Sequence, residues 1–379
     1  MTTAQLYTLA NTATQEVLGE TALIKEDWSN LVDVGDSIAN ALGTEKFYNS
    51  LVNQIGRMWF VNRPYTGKYQ KIFRDAWEFG SIVGKVQAEL IDATENESWS
   101  IVNGASYDPY VVSLPVVSAK FFNKQVTFEL DITTPVDQIN QSFKSADEMM
   151  RFLAMLETMV YNSMELKIEA FTERAVCNLF GATINDAGAA RVRHLVTEYN
   201  TLAGTSYTSA NCLIHDDFLR YAVAQLLLQK GYMKEYSSLY NVGGKPRHTP
   251  EDLLHVILNT AFASACKTHL QSLTYHDELV KLPKYEEVAK WQGTGTSGTL
   301  QDRTSINADV VLADGTTATV SEDYIIGVMF DHDAVGVLQP DRKVTTAYNP
   351  KGEYFNAFHK WRSRFFNDFN ENCVVFLID

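Results

Sequence analysis

Residues 145–181, SADEMMRFLAMLETMVYNSMELKIEAFTERAVCNLFG, decide the fold. They open with Ser145-Ala146-Asp147-Glu148, a capping box in which a hydroxyl and a carboxylate satisfy the free amides of a first helical turn. No proline or glycine follows until Gly181, which suits a left-handed C-cap. Apolar residues recur every three or four positions, so the pattern predicts one helix of about 50 Å over 145–181. Its expected core residues are Leu153, Leu156, Val160, Met164 and Ile168.

A helix of this length and pattern is typical of a bundle or a coiled coil, but the residues before it indicate a strand. In 117–132, Val126, Phe128 and Leu130 alternate with polar residues. Such alternation predicts a half-buried strand whose apolar side faces a helix. We therefore expect an α+β subunit in which this strand and the long helix pack on each other.

Composition narrows the class of protein. A chain of 379 residues is longer than one compact core usually holds, so two or more lobes are expected. The net charge is −14, from 32 basic and 46 acidic residues. A sequence-reading nucleic-acid binder needs a basic contact face, so this charge argues against one. The negative net charge is compatible with a surface that surrounds nucleic acid without binding it tightly.

The cysteines and the N-terminus indicate an intracellular, soluble chain. The four cysteines are widely spaced in or beside apolar runs, which predicts reduced, buried thiols rather than disulfides or a metal site. No basic-then-apolar leader and no apolar run of membrane-spanning length is present.

Residues 77–112 predict a long β-hairpin with an acidic tip. Its two arms have little apolar bulk, and an isolated two-stranded ribbon is marginal in water. We therefore expect it to lie across another subunit, although it could instead fold over its own domain. The candidate inter-subunit contacts are Lys85, Glu95, Glu97, Trp99, Tyr107 and Tyr110.

The flanking regions predict an arm and a compact mixed insertion. Residues 1–45 have weak helical periodicity and need a neighbour to pack against, with disorder as the alternative. Near the N-terminus we expect a strand at Arg57–Val61. After the long helix we expect shorter elements: a strand at Asn211–His215, a helix from Asp216 or Asp217 to Gly231, a loop at Asn241–Arg247, a helix start at Thr249–Asp252, a hairpin turning at Asp314-Gly315, and strands at Tyr324–Phe330, Lys343–Tyr348 and Val374–Ile378.

No catalytic, metal or cofactor site is predicted. Gly293, Gly295 and Gly298 have the G-x-G-x-x-G spacing but lack the following helix that a dinucleotide site needs. His215-Asp216-Asp217 and Asp331-His332-Asp333 follow strands, where carboxylates usually cap helices or form turns. We expect a protein that is not an enzyme and binds no cofactor.

Seven short segments carry a family resemblance through their number and order. They are Phe60-Val61-Asn62-Arg63-Pro64-Tyr65, Trp77-Glu78-Phe79-Gly80, Glu95-Asn96-Glu97-Ser98-Trp99, Ser106-Tyr107-Asp108-Pro109, Ala119-Lys120-Phe121-Phe122-Asn123, Phe330-Asp331-His332-Asp333-Ala334 and Tyr348-Asn349-Pro350-Lys351-Gly352-Glu353-Tyr354. The chain resembles the major capsid proteins of tailed double-stranded-DNA bacteriophages, which have the Hong Kong 97-like fold. It is most similar to the short-chain capsid proteins of phages of Gram-positive gut bacteria.

The resemblance implies a role for each part. Residues 1–45 would be the N-terminal arm, and 46–118 a strand and the extended loop that lies over a neighbouring subunit. Residues 117–195 with 341–379 would form the peripheral domain around the spine helix 145–181. Residues 196–340 would form the axial domain, with Asn241, Lys245 and Arg247 in a loop at the symmetry axes.

The function implied is assembly. Copies would form hexamers and pentamers that close into an icosahedral shell around phage double-stranded DNA, in the host bacterial cytoplasm. The implied partners are a separate scaffolding protein, a portal protein, and genomic DNA on the inner face without sequence specificity. No membrane is involved. Two rivals stay open: an encapsulin-like shell of a cellular compartment, and an α+β enzyme with an unrecognised site.

Overall fold

A computed structural model of the chain describes residues 63–74, 83–91, 93–100, 102–135, 146–272, 282–292, 298–338 and 342–379, together with Asn11 and Gln15. The chain divides into two compact units. One is Met1–Arg63 with Ser145–Thr158, and the other is Pro64–Lys144 with Met159–Asp379. The predicted arm and the predicted strand at Arg57–Val61 lie outside the described residues, apart from Asn11 and Gln15. The helices and strands named below, other than the first turns of the long helix, lie in the second unit.

The long helix, α1, runs over Ala146–Asp186. It begins where the capping box predicts. Val160, Met164 and Ile168 are buried in one apolar cluster with Phe128 and Trp361. The side chain of Leu156 is half-buried, and that of Leu153 lies outside the described ones.

The predicted helix end at Gly181 is wrong, because α1 continues to Asp186. A glycine is needed at position 181 because the helix packs closely on Val310 there. A β-carbon at this position would lie 2.7 Å from Cγ1 of Val310. The helix ends instead at Ala187, which has a φ of 51° and breaks the helical backbone.

The first sheet covers the apolar side of α1. Its strands are β1 (Phe73–Arg74), β4 (Gln125–Pro135), β11 (Val335–Leu338), β12 (Lys343–Asn349) and β13 (Tyr354–Asn367), with the order β1-β11-β13-β12 and β4 also paired to β13. The single strand predicted over 117–132 is therefore wrong in its length. Residues 117–122 form a separate strand outside this sheet. Within the predicted stretch, only β4 pairs with β13, from Gln125 opposite Arg364 to Pro135 opposite Tyr354.

The second sheet has both faces covered. It contains β5 (Val192–His194), β14 (Cys373–Leu377), β10 (Ile325–Asp331), β6 (Leu254–Asn259) and β7 (Glu286–Val288), in that spatial order. Every residue of β10 and β14 is buried, which is typical of a sheet between two layers. One face packs on the C-terminal half of α1. The other packs on α2 (Leu195–Ala203), α3 (Asp216–Tyr232) and α4 (Thr260–Ser272).

A small helix and a hairpin complete the described elements. Helix α5 (Leu300–Thr304) leads into β8 (Ile306–Val311) and β9 (Thr317–Glu322). The predicted hairpin is confirmed, and Gly315 has the positive φ, 86°, that its tight turn requires. The strands predicted near Tyr324–Phe330 and Lys343–Tyr348 are confirmed as β10 and β12.

Two local predictions fail. Asn211–His215 is not a strand, because Cys212–Ile214 forms a 3-10 turn that leads directly into α3. No helix starts at Thr249, and the chain turns there into β6. The Thr249 hydroxyl donates to Oδ2 of Asp331 at 2.8 Å, so its capping chemistry serves the end of β10 rather than a helix. Within the described residues, no helix has the length and apolar character needed to cross a membrane.

Gly181 provides a test of how tightly α1 packs on the β8–β9 hairpin. We expect Gly181→Ala to destabilise the subunit by about 1–3 kcal/mol, because the added methyl group overlaps Val310. The matched control is Gly231→Ala in α3, where a β-carbon meets nothing within 4 Å. That change should stabilise by about 0.5–1 kcal/mol. Urea unfolding followed by circular dichroism measures both, and equal effects at the two glycines would contradict this packing.

Candidate assembly surface

A two-stranded ribbon forms a small sheet of its own, separate from the two five-stranded sheets. It consists of β2 (Val83–Ala88) and β3 (Val117–Phe122), paired antiparallel from Val83 opposite Phe122 to Ala88 opposite Val117. The predicted first arm is confirmed over Val83–Ala88, while its residues 77–82 lie outside the described ones. The partner strand is Val117–Phe122, so the second arm is wrong as predicted over 99–112. That segment contains Pro109, and Pro115 follows it. A proline cannot donate to a strand ladder, so pairing begins only after Pro115.

The two faces of the ribbon differ in character. Its inward side chains include the charged and polar Lys85, Gln87 and Lys120, together with an apolar pair, Val83 and Phe122, at one end. Its outward side chains are apolar, and Val86 and Phe121 are 65% and 70% exposed. Apolar area facing water is unfavourable in a lone subunit and marks a surface that another protein covers.

A buried carboxylate, Asp368, holds the base of the ribbon. Lys85 and Lys120 lie directly opposite each other in the strand register, an arrangement in which two like charges repel. Asp368 lies between them, accepting from Lys85 at 2.7 Å through Oδ2 and from Lys120 at 2.8 Å through Oδ1. Burial by itself raises the pKa of Asp368, but the two ammonium groups outweigh burial and hold the pKa below its ordinary value.

Glu371 is the second carboxylate under the ribbon, and we call Asp368 and Glu371 the clasp. Oε1 of Glu371 accepts from Lys85 and from Nε2 of Gln87, each at 2.6 Å. Arg247 donates to Oε1 of Gln87 at 2.6 Å. The clasp residues lie in the short loop between β13 and β14, so the two sheets fix their position.

The loop 241–247, predicted to lie at a symmetry axis, contacts this same ribbon. Asn241 is fully buried, and its side chain bonds to both the backbone carbonyl and the backbone amide of Lys245. Lys245 donates to Glu89 at 2.8 Å, and this hydrogen bond lowers the pKa of Glu89. The structure therefore brings the predicted axial-loop residues Asn241, Lys245 and Arg247 close to Lys85, which was predicted as an inter-subunit contact.

The remaining predicted contact residues lie in the loop tip, residues 89–116. Its described part holds one short 3-10 turn, Glu97–Trp99. Trp99 and Tyr110 are each 86% exposed, Tyr107 is about half exposed, and Glu95 is exposed. The side chain of Glu97 lies outside the described ones. The loop tip also exposes Leu90, Ile91, Val102, Val111, Val112, Leu114 and Val116.

The motifs that resemble catalytic sites have structural roles. Oδ1 of Asp331 accepts from the Asp333 amide at 2.8 Å, which is turn chemistry as expected. Asp217 accepts from the hydroxyls of Tyr199 and Tyr207 at 2.8 and 2.9 Å. All four cysteines are buried thiols. Among the described residues, no group of three or more His, Cys, Asp and Glu side chains could hold a metal ion.

Comparison with known proteins identifies the family. The model of the Phi29-like phage major capsid protein family matches residues 9–377. The chain belongs to this family. It is a structural protein of the phage capsid, which agrees with the resemblance found in the sequence. No curated protein matches the chain.

Solved structures support the same fold. The capsid structure of Staphylococcus phage Andhra matches with a TM-score of 0.55 and 8% identity, covering 86% of this chain and 87% of that one. A chain in the structure of the head fiber and inner core protein gp22 of native bacteriophage P68 matches with a TM-score of 0.55 and 8% identity, covering 86% and 88%. The predicted α+β, Hong Kong 97-like fold is confirmed, and neither the compartment shell nor the enzyme finds support.

The sequence analysis missed the clasp. Asp368 and Glu371 lie almost 250 residues beyond the ribbon in the sequence, so no local pattern joins them to it. One signal was available: Lys85, Gln87 and Glu89 place polar groups at every second position of a strand. That spacing indicates one polar face, and a polar face inside a protein needs partners of its own.

Asp368→Asn should release the ribbon from the body. The change leaves Lys85 and Lys120 opposed without the charge that joins them, so the ribbon opens more often. We expect trypsin to cut after Lys85 and Lys120 about tenfold faster than in the parent chain. Asp314→Asn, in the exposed turn of the β8–β9 hairpin, is the control and should leave these cuts unchanged. Unchanged cleavage in Asp368→Asn would show that the clasp does not hold the ribbon.

The clasp should also tolerate mild acid. The pKa of Asp368 is lowered by folding, so its stabilising contribution is complete above the unfolded-state pKa of about 3.9. It is lost only as the pH falls through the lower, folded-state pKa. Hydrogen exchange of the ribbon amides, corrected for intrinsic rates, should therefore be constant from about pH 7 to about pH 5. A loss of protection in this range would contradict the assignment.

Proposed function

We propose that the chain assembles as hexamers and pentamers into an icosahedral shell that encloses packaged phage double-stranded DNA, and that each loop tip lies over a neighbouring copy. The observation that carries this is the number of exposed apolar side chains on the ribbon's outer face and in the loop tip. The loop tip has no core of its own, and only another protein can remove this area from water.

The clasp indicates different roles for the base and the tip of the hairpin. Its base is held on its own body through charged contacts with Asp368 and Glu371, while its tip carries exposed aromatic side chains. A fixed base reduces the conformational freedom that binding must remove, so the tip is presented to a neighbour in a defined direction. The base of the hairpin thus folds over its own domain, while its tip is proposed to lie across another subunit.

The parts of the chain take the following proposed roles. Residues 1–45 are the N-terminal arm, 46–118 carry the extended loop, and 117–195 with 341–379 form the peripheral domain. Residues 196–340 form the axial domain, whose loop 241–247 also braces the ribbon. Because β14 pairs with β10 and β5 in the second sheet, residues 373–377 join the peripheral and axial parts.

The other partners follow from the family and the charge. Assembly takes place in the host bacterial cytoplasm with a separate scaffolding protein and a portal protein, and the protein is not an enzyme. A net charge of −14 disfavours tight binding of phosphates, so packaged DNA is held on the inner face without sequence recognition.

Trp99→Asp and Tyr110→Asp test whether the loop tip makes the subunit contact. Both side chains are exposed in the single subunit, so neither change should alter its thermal unfolding by more than about 0.5 kcal/mol. Each should reduce shell formation strongly, because an aromatic anchor is replaced by a charge. The measurement is negative-stain microscopy and sedimentation of coat co-expressed with its scaffolding protein.

The control for this test is Ile214→Asp, which changes a 64% exposed side chain outside the hairpin. It should assemble normally. Normal shells from both loop-tip variants would overturn the proposal that the tip contacts a neighbour.

A further inference from the structure

The loop tip carries charge of one sign. Between Val86 and Ala119 the chain has five carboxylates and no Lys, Arg or His. The five are Glu89, Asp92, Glu95, Glu97 and Asp108. Lys245 neutralises Glu89, and Asp108 accepts from the Tyr110 amide. A loop of this charge meets repulsion over most of a protein whose net charge is −14, so its docking position needs local positive charge.

The last strands of the first sheet carry the opposite charge. Residues 342–364 contain six Lys and Arg residues and a single carboxylate, Glu353. This is a concentrated basic segment in an acidic chain, and it lies on the β12–β13 pair.

Register places part of this charge on one open face. Lys343 is opposite Lys360 in the β12–β13 pairing, and Arg362 follows Lys360 on the same side of β13. The intervening Trp361 is buried against α1, so Lys360 and Arg362 point away from the core. We call Lys343, Lys360 and Arg362 the basic face.

Neighbouring acids leave this face positive. Glu129 of β4 pairs with Lys360 at 3.1 Å, and Asp131 lies opposite Phe358 on the same side. Within the described residues, Lys343 and Arg362 are exposed and have no ion pair.

We propose that the acidic loop tip of one copy docks on the basic face of a neighbouring copy, with Glu95 against Lys343 and Arg362. This rests on the proposed function, since it names where the loop tip of an assembled copy lands. Apolar contacts supply most of the buried area, while the charges fix which surface receives the tip and in which register. A second copy is favoured over DNA because the loop tip is acidic, as DNA is, and charge of the opposite sign is present on the chain itself at Lys343 and Arg362.

Charge reversal tests the pairing. Arg362→Glu and Glu95→Lys should each lower the yield of shells about tenfold or more, because like charges then face each other. The double variant should restore at least about half of the parent yield, since the pair is re-formed with opposite signs. Arg220→Glu, on the exposed side of α3, makes the same charge change elsewhere and should assemble normally. Thermal unfolding of each isolated subunit checks that all four variants fold.

A cysteine pair tests proximity independently of yield. All four native cysteines are buried, so new exposed thiols would react selectively. Subunits carrying Glu95→Cys are mixed with subunits carrying Arg362→Cys, assembled and oxidised mildly. Disulfide-linked dimers on a non-reducing gel support the docking, because each subunit has only one new thiol. Mixing Glu95→Cys with Arg220→Cys is the control and should give no dimers.

The outcomes separate this inference from the proposed function. If loop-tip variants at Trp99 block assembly but the double charge reversal rescues nothing, the tip contacts a neighbour at another surface and the basic face is wrong. If Arg362→Glu forms normal shells with a reduced DNA content, the basic face serves the genome and the docking proposal is overturned. If the Trp99 variants assemble normally, the proposed function of the loop tip itself fails.

Discussion

Asp368 lies between two lysines that would otherwise repel, and the orientation of the hairpin depends on it. The ribbon faces its own body with charged groups and with the Phe122 ring, which stacks on Phe366, and it faces water with apolar groups. A wholly apolar underside would adhere to the body over many similar positions. Charged groups bind only where their partners are, so Asp368 and Glu371 define one position for the ribbon. The apolar outer face then remains available for another molecule.

This arrangement suits a subunit that must be soluble before it assembles. The exposed apolar area is spread along a narrow loop rather than gathered on a broad face, and carboxylates are interspersed with it. Charge of one sign disfavours association of loop tips with one another. In the proposed docking, the basic face of a neighbouring copy attracts them, so repulsion and attraction act together.

The elements with strong local patterns could be predicted from the sequence, and those set by distant contacts could not. The capping box located the start of α1, and Asp314-Gly315 located a hairpin turn. The helix end predicted at Gly181 is wrong because the lack of a side chain there makes room for Val310, which is far away in the sequence. The helix start predicted at Thr249 is wrong for a similar reason, because its hydroxyl donates to the distant Asp331 and caps no helix. The clasp was missed because its carboxylates meet the ribbon only after both sheets have formed.

The position of β14 has a consequence for how the subunit is made. This strand lies in the interior of the second sheet, between β5 and β10, and the clasp immediately precedes it in the chain. A nascent chain that ends before residue 368 thus lacks both the strand that joins β5 to β10 and the carboxylates that set the ribbon. Long-range pairing of this kind forms late and slowly. A partly synthesised subunit therefore cannot hold its ribbon in the position that the clasp defines, and under the proposed function it gains a correctly placed loop tip only when synthesis is nearly complete.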